Sequence, residues 1–229
     1  MSALRPEAPP TAATVCLDPG HGGRDPGARA DHLVEAEVTL DLARRAAALL
    51  RRRHRVVLTR GGDRTVALRD RVAAAEAARA DLFLSIHVNA APTPRAAGYE
   101  VYVRPQAPAG AHVLAAALLL QFERRWPGRP NRGVRTARFA VLRQARPACL
   151  VECFFLTNPE DRRLLADPAA RAQLGEALAW GCGNALRQLL PAPPAAAPLS
   201  PASPQAGPPA RRGTPATPRS GPVLRRRQG

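Results

Sequence analysis

The sequence predicts a single α/β domain with a mostly parallel, twisted sheet of about six strands flanked by helices. Two observations support this fold class. Short apolar runs that end at turn residues alternate with longer segments of helical spacing, which is the pattern of strand, helix, strand units in a parallel sheet. The chain of 229 residues is also long enough to bury one sizeable core, and it leaves little room for a second one.

The first half of the chain begins with two strands separated by a helix. Residues 15–19 form an apolar run that stops at Pro19 and Gly20, so they predict a buried strand followed by a tight turn. Residues 38–50 have the apolar spacing of a helix with one buried face. Residues 55–60 then predict a second strand, which completes a unit typical of a parallel sheet.

A second helix is predicted from about residue 66 to residue 78. Its apolar residues Leu68, Val72 and Ala75 fall on one stripe, which we expect to face the sheet. Arg71 lies largely outside that stripe and is therefore expected to be exposed to solvent.

The second half of the chain continues with the same kinds of element. In order, they are strands at 81–89 and 98–103, a helix at 111–126, a polar irregular segment at 129–138, a short strand at 139–142 and a strand at 148–153. Two helices should follow, because Asn158-Pro159 and Asp167-Pro168 each place a capping side chain before a proline at the first helical position.

The two ends of the chain differ from the body in composition. Residues 1–13 are rich in Pro and Ala and predict a flexible leader, with no apolar stretch that would mark a recognisable signal peptide. Residues 191–229 consist mainly of Pro, Ala, Ser and Arg without periodicity, so we predict a disordered basic tail. The folded domain is accordingly expected at 14–190. Its most apolar run, 113–120, is too short for a transmembrane segment.

The chain carries a formal net charge of +16, which comes from Arg alone. A basic balance suggests a polyanionic partner such as nucleic acid, an anionic membrane or a charged cell envelope, but it does not choose among them. The tail lacks interleaved aromatic residues and no recognition motif is present, so specific nucleic-acid binding is the least favoured of these. The 4 Cys residues show no CxxC spacing, which argues against a disulfide framework and a cysteine zinc site.

Ionisable residues stand at the ends of three predicted strands: His21, His87 and Glu152. Ligands of open α/β sheets bind at this edge. With Glu35 at the start of a helix, the two imidazoles suit a zinc ion that keeps one position open for water. Glu37 is an equally good third ligand on these grounds, and each histidine taken alone would be read as a surface residue. Glu152 lies in a strongly apolar run, where a carboxylate needs a charged or metal partner.

Several blocks of the sequence resemble one known family, the zinc-dependent N-acetylmuramoyl-L-alanine amidases of type 3. The blocks are LDPGHGGRDPGA (17–28), EAEVTL (35–40), SIHVNA (85–90), PACLVE (147–152) and LTNPED (156–161). They occur in the family's order and cover about residues 14 to 190. Two departures are visible: the loop before Glu35 is one residue short, and Phe154 stands where the family usually has glycine.

The resemblance implies that His21, Glu35 and His87 bind one Zn²⁺ ion, which settles Glu35 over Glu37, and that Glu152 is the catalytic acid and base. It implies hydrolysis of the amide bond between N-acetylmuramic acid and L-alanine in peptidoglycan. Asn89 and Arg143 lie near the same edge, and they are either substrate contacts or solvated loop residues. We expect a monomer that acts at the cell wall, periplasmic or extracellular, by an unknown export route.

Two alternatives to the hydrolase stay open. The first is a peptidoglycan-binding module of the same fold without catalysis, and the second is a basic nucleic-acid-binding protein. The tail is either a tether to anionic envelope polymers or an inert extension.

Overall fold

The computed structural model describes residues 12–190, which form one six-stranded sheet, a separate two-stranded hairpin and five α-helices. The strands are β1 (Thr14–Pro19), β2 (Arg29–Ala30), β3 (Leu33–Val34), β4 (Arg55–Leu58), β5 (Leu82–Asn89), β6 (Tyr99–Val103), β7 (Asn131–Thr136) and β8 (Ala148–Phe155). The helices are α1 (Glu35–Leu50), α2 (Leu68–Ala77), α3 (Ala109–Arg125), α4 (Pro159–Ala166) and α5 (Pro168–Leu189). The predicted fold class is confirmed.

The large sheet has the strand order β4-β1-β5-β8-β6-β7. The first four strands in this order are parallel, whereas β6 is antiparallel to β8 and parallel to β7. The loops after β1, β5 and β8 therefore meet at one edge of the sheet, as expected for the carboxyl ends of parallel strands.

The two faces of the sheet contain different residues, because side chains alternate along each strand. One face, which we call the helix-covered face, contributes Leu17, Leu84, Val101 and Val151 to a core that also contains residues of α1, α3 and α5. The opposite face is here called the polar face. It carries Asp18, Ser85, His87, Glu100, Tyr102 and Glu152 towards the carboxyl edge, and a smaller apolar cluster with α2 beyond them.

Helix α2 is oriented differently from its prediction. Leu68 is 56% exposed, while Arg71 is buried and forms a salt bridge with Asp18 in which its Nη1 lies 2.8 Å from Oδ1. Burial of an arginine side chain is tolerated when its charge is paired with a carboxylate in this way. The pairing joins residues that are 53 positions apart, so the periodicity of the helix alone did not show it.

Two predictions between residues 129 and 142 were wrong. The segment expected to be irregular contains β7, which pairs only with β6 and is largely exposed, so it lacks the apolar alternation of an inner strand. The segment 139–142, expected as a strand, contains a 3₁₀ turn, Ala140–Leu142. Its apolar residues Val141 and Leu142 are buried against α2 instead of in the sheet.

Strand β8 contains a bulge beyond Glu152. The pairing with β5 runs from His87 with Glu152 to Asn89 with Phe155, so β8 has one extra residue in this stretch. Phe154 has a φ of +73°, in the region that glycine adopts most easily, and its side chain is fully buried beside Tyr99 and Trp126. This explains why a glycine suits this position and why Phe154 is tolerated, since aromatic burial offsets its backbone strain.

The predicted starts of α4 and α5 are confirmed. Asn158 accepts hydrogen bonds from the backbone N–H groups of Glu160 and Asp161, and Asp167 accepts one from Ala169. Among residues 12–190, no helix is long and apolar enough to cross a membrane. The predicted tail, 191–229, and all but the last two residues of the predicted leader lie outside the described residues, so the limits of the domain stay a prediction.

Candidate active site

Three predicted metal ligands meet at the carboxyl edge of the sheet. His21 follows β1, Glu35 begins α1 and His87 lies near the end of β5. Oε1 of Glu35 lies 3.0 Å from Nε2 of His21 and 3.1 Å from Nδ1 of His87. All three ligand atoms lie within 4.8 Å of one another, so residues far apart in the sequence form one compact donor set.

Two glycines make this convergence possible. A side chain at Gly20 would begin 2.4 Å from Cε1 of His87, and one at Gly27 would begin 2.6 Å from Oε2 of Glu35. Both distances are far below van der Waals contact, so any larger residue would displace a ligand. His21 itself has a φ of +60°, an unfavourable conformation for a residue with a side chain, and such strain is often found at functional sites.

Hydrogen bonds fix how the ligands are presented. Nδ1 of His21 lies 2.8 Å from Oδ2 of Asp25, so Nδ1–H donates to Asp25 and leaves Nε2 directed at the site. Glu35 is held at both oxygens, because Oε2 accepts from the backbone N–H of Ala28 and Oε1 from that of Val88. Asp25 was not predicted, although its position four residues after His21 was visible in the sequence.

The pKa values of Glu35 and His21 depend on each other. Burial would raise the pKa of Glu35, but hydrogen bonds from His21 and His87 outweigh burial and hold that pKa well below its usual value. The hydrogen bond to Glu35 in turn raises the pKa of His21. These shifts keep the Glu35 carboxylate ionised and favour a proton on His21, and that proton must leave before His21 can bind a divalent cation.

This donor set fits zinc. Two imidazole nitrogens and one carboxylate oxygen are ligands of catalytic zinc sites, which keep a fourth position open. Bonds of about 2.0–2.2 Å in a tetrahedron place neighbouring ligand atoms about 3.3 Å apart. The 3.0 and 3.1 Å separations between the histidine nitrogens and Glu35 are close to that spacing. Small side-chain movements would therefore complete the coordination.

Glu152 lies beside the three ligands on the polar face. It pairs with His87 on one side and with Glu100 on the other, so the three side chains form a row across neighbouring strands. Burial, followed by the charges of Glu35 and Glu100, raises the pKa of Glu152 well above its usual value. Its Oε2 is buried and has no hydrogen-bond partner among residues 12–190, so this oxygen is available to a bound molecule.

A cleft joins these groups. His21, Asp25, His87 and Glu152 line it together with apolar side chains at its rim, including Leu68 and Phe139. Of the two residues considered as substrate contacts, Asn89 lies at the edge of the site but is already engaged, since its Nδ2 donates to Glu100 and its Oδ1 accepts from the backbone N–H of Ala90. Arg143 is exposed and does not line this cleft.

Two buried arginines support the loop that carries His21, and neither was predicted. Nη2 of Arg60 donates to the carbonyl oxygens of Gly20 and Ala36, each at 2.7 Å. It therefore links the residue before His21 to the residue after Glu35. Nη1 and Nη2 of Arg71 donate to the carbonyl oxygens of Pro19 and His21 at 2.6 and 2.7 Å. Burial lowers the pKa of Arg60, and the charge of Arg71 adds to the effect.

Glu100 is a further buried acid that the sequence analysis missed. Its Oε1 accepts hydrogen bonds from Asn89 and from the hydroxyl of Tyr102, and its Oε2 pairs with Nε of Arg132 at 2.9 Å and of Arg135 at 2.7 Å. A carboxylate inside a strongly apolar run was the signal that singled out Glu152, and a similar signal was present at Glu100, which lies between Tyr99 and Val101.

Known proteins resemble this chain over the described region. The family described as N-acetylmuramoyl-L-alanine amidase matches residues 15–184. N-acetylmuramoyl-L-alanine amidase LytC of Bacillus subtilis is 36% identical over 172 residues, which are 74% of this chain and 35% of LytC. The endolysin of Bacillus phage SPP1 is 34% identical over 181 residues, 75% of this chain and 65% of the endolysin. The chain thus spans about a third of LytC and about two thirds of the endolysin.

Solved structures agree with the sequence comparison. The amidase AmiC2 of Nostoc punctiforme is 37% identical with a TM-score of 0.71, and the alignment covers 77% of this chain and 97% of AmiC2. An amidase from Clostridium difficile 630 is 32% identical with a TM-score of 0.73, covering 77% of this chain and 98% of the other. The resemblance inferred from the sequence blocks is confirmed, and the chain belongs to the N-acetylmuramoyl-L-alanine amidase family.

Proposed function

We propose that this protein is a zinc-dependent hydrolase that cleaves the amide bond between N-acetylmuramic acid and the L-alanine of the peptidoglycan stem peptide. The observation that carries the proposal is the convergence of His21, Glu35 and His87 beside a partly buried acid, Glu152, which lines one cleft with the two histidines. Membership of the amidase family supplies the substrate class.

His21, Glu35 and His87 would hold the metal ion. A bound zinc ion lowers the pKa of water from about 15.7 to about 7 and polarises a carbonyl oxygen, so amide hydrolysis becomes feasible at neutral pH. Asp25 keeps His21 in the tautomer that presents Nε2, and Gly20 and Gly27 leave the space that the ligands occupy.

Glu152 would move the proton. A catalytic acid and base needs a proton affinity close to the working pH, and burial together with the charges of Glu35 and Glu100 raises the pKa of Glu152 in that direction. The carboxylate takes a proton from the attacking water and gives it to the departing amine, which leaves as the free amino group of L-alanine. Without that proton the amine would be a very poor leaving group.

Metal analysis combined with mass spectrometry of digested peptidoglycan tests the proposal. We expect about one zinc ion per chain and products with a free L-alanine amino terminus together with intact glycan. A protein that binds peptidoglycan and zinc without releasing amino termini would instead be a binding module. The presence of all four site residues supports the hydrolase. Salt-dependent DNA binding stronger than peptidoglycan binding would favour the nucleic-acid alternative.

We further propose that residues 14–190 form the catalytic domain of a monomer that acts at the cell wall, and that the basic segment 191–229 tethers it to anionic envelope polymers. The composition of that segment supports the tether, since its Arg residues have no acidic neighbours there. A chain ending at Leu190 should cleave soluble muropeptides normally and lyse whole cells less well at low salt. If the full chain and the shortened chain lyse cells equally well, segment 191–229 is an inert extension.

A further inference from the structure

We propose that Arg132 and Arg135, anchored on the buried Glu100, form a subsite that binds a free carboxylate of the stem peptide. The proposal rests on the hydrolase function proposed above and specifies its substrate as an acidic stem peptide instead of an amidated one. Neither arginine was singled out from the sequence.

The sheet aligns the subsite with the reaction centre. His87, Glu152 and Glu100 occupy matching positions on β5, β8 and β6, and β7 follows β6 in the sheet. Neighbouring strands lie about 4.8 Å apart. The backbone of β7, which carries both arginines, is therefore roughly 10 Å from that of Glu152, measured across the strands.

The charges around Glu100 leave a surplus of one positive charge. Its Oε2 accepts a hydrogen bond from Nε of Arg132 at 2.9 Å and forms a salt bridge with Nε of Arg135 at 2.7 Å. The Nη atoms of both guanidinium groups make no hydrogen bond within residues 12–190, and the side chains are 33% and 46% exposed. A guanidinium held at Nε still presents its two Nη groups, which match the two oxygens of a carboxylate.

The role of Glu152 sets the direction of the substrate. The proton donor must face the departing amine, and Glu152 lies between the metal ligands and Glu100 in the row. The stem peptide, which begins at that amine, should therefore extend over Glu100 towards Arg132 and Arg135. A distance of about 10 Å corresponds to roughly three extended residues at about 3.3 Å each. The carboxylate should thus belong to the second or third residue of the stem peptide.

Paired substrates test the proposal on the unmodified protein. Two muramoyl-peptide pairs are compared, one differing at the second residue and the other at the third, with a free carboxylate in one member and a carboxamide in the other. We expect kcat/KM to be about tenfold higher for the carboxylate member of at least one pair, mainly through KM. A ratio below about twofold in both pairs would overturn the subsite.

Variants then locate the effect. Arg132→Gln and Arg135→Gln should reduce the ratio towards one by slowing cleavage of the carboxylate member. Arg124→Gln makes the same change of charge on α3, above the helix-covered face, and should leave the ratio unchanged. An equal loss on both members of a pair would show that the arginines only support Glu100, and it would contradict the proposal.

Binding measurements test the proposed subsite separately from the proposed hydrolase function. Calorimetry with the zinc-loaded Glu152→Gln variant measures affinity for the same peptides without turnover. A preference of about tenfold for the carboxylate peptide supports the subsite even if the unmodified protein cleaves nothing, an outcome that would refute only the hydrolase function. Cleavage with equal affinities would refute only the subsite.

Discussion

The helix-covered face and the polar face of the sheet use the same strands for different purposes. On the helix-covered face, aliphatic strand residues such as Val15 and Ile86 pack with residues of α1, α3 and α5 into one continuous core. The polar face buries Asp18 and Arg71 instead, and Arg71 donates hydrogen bonds to Asp18 and to the backbone carbonyl group of Pro19. Burial of apolar area stabilises the first face, whereas the second uses buried charge to hold a few atoms in place.

Because of this difference, substitutions on the two faces should have different effects on stability and on activity. A cavity in the helix-covered core lowers the free energy of unfolding without moving the ligands. A change at Glu152, which forms no ion pair within residues 12–190, should affect catalysis with little change in stability. Residues that link the faces, such as Arg60 beneath the loop of His21, should affect both.

Glu152→Gln should have the largest effect on activity. The substitution keeps the size of the side chain but removes the transferable proton, so we expect kcat to fall by about 10³-fold or more, in the range found for general acid and base groups. The free energy of unfolding should change by less than about 1 kcal/mol, since no buried charge pair is broken. Kinetics on purified peptidoglycan, thermal unfolding and zinc content measure these effects. Near-normal turnover would refute the role of Glu152.

Phe122→Ala should have the largest effect on stability. Phe122 is fully buried on α3 and contacts Tyr99, Trp126 and Phe154. Removing its ring should cost about 3–5 kcal/mol of unfolding free energy. Activity at a temperature where the variant stays folded should remain within about twofold, measured beside denaturant unfolding. Loss of activity in the folded variant would show that the two faces are not separable.

Arg60→Met should affect both properties to an intermediate extent. It removes the donor shared by the carbonyl groups of Gly20 and Ala36, so buried acceptors lose their partners and the loop of His21 is released. We expect a loss of about 2–3 kcal/mol in unfolding free energy and a tenfold or larger fall in kcat. Zinc affinity, measured by competition with a chelator, should weaken as well.

Arg64→Met is the control for that experiment. Arg64 is exposed, although its Nη2 also donates to a backbone carbonyl group, that of Thr59. Its loss should change stability by only about 0.5 kcal/mol. If Arg60→Met and Arg64→Met lose the same amount of stability and activity, burial of the Arg60 guanidinium does not explain the effect of Arg60→Met.

Leu68→Ala should have the smallest effect. Leu68 is exposed and lines the cleft that contains His21 and Glu152. We expect KM to rise by about two- to threefold through loss of apolar contact, with stability changed by less than about 0.5 kcal/mol. Leu120→Ala on the outside of α3 is the matched control, because Leu120 is also exposed but lies outside the cleft. Equal KM values for the two variants would argue that the apolar rim does not contact substrate.

Much of this architecture could be predicted because its signals are local. Strand β1 with its Pro-Gly end, the helical spacing of α1 and the caps Asn158 and Asp167 each depend on a few consecutive residues. The candidate site could be predicted for a similar reason, because His21, Glu35, His87 and Glu152 each lie in a short block of consecutive residues that resembles the family. Their roles stay predictions until they are measured.

The rest depended on distant partners. Arg71 is buried because Asp18 lies opposite it, and no pattern within α2 reveals this. Strand β7 is an edge strand whose polar residues pair with β6 through the backbone, so hydrophobic alternation is absent. Burial of Glu100 is favourable only because Arg132 and Arg135, on β7, form salt bridges with its carboxylate.

The bulge at Phe154 determines the alignment of β8 as well as its shape. If β8 slipped by one residue against β5, either Val151 or Cys153 would take the place of Glu152, and the acid would point into the aliphatic layer. A slip would also withdraw the Phe154 ring from its contacts with Tyr99, Phe122 and Trp126. The phenylalanine therefore acts as a stop against sliding, and it couples correct folding of this strand to delivery of the acid.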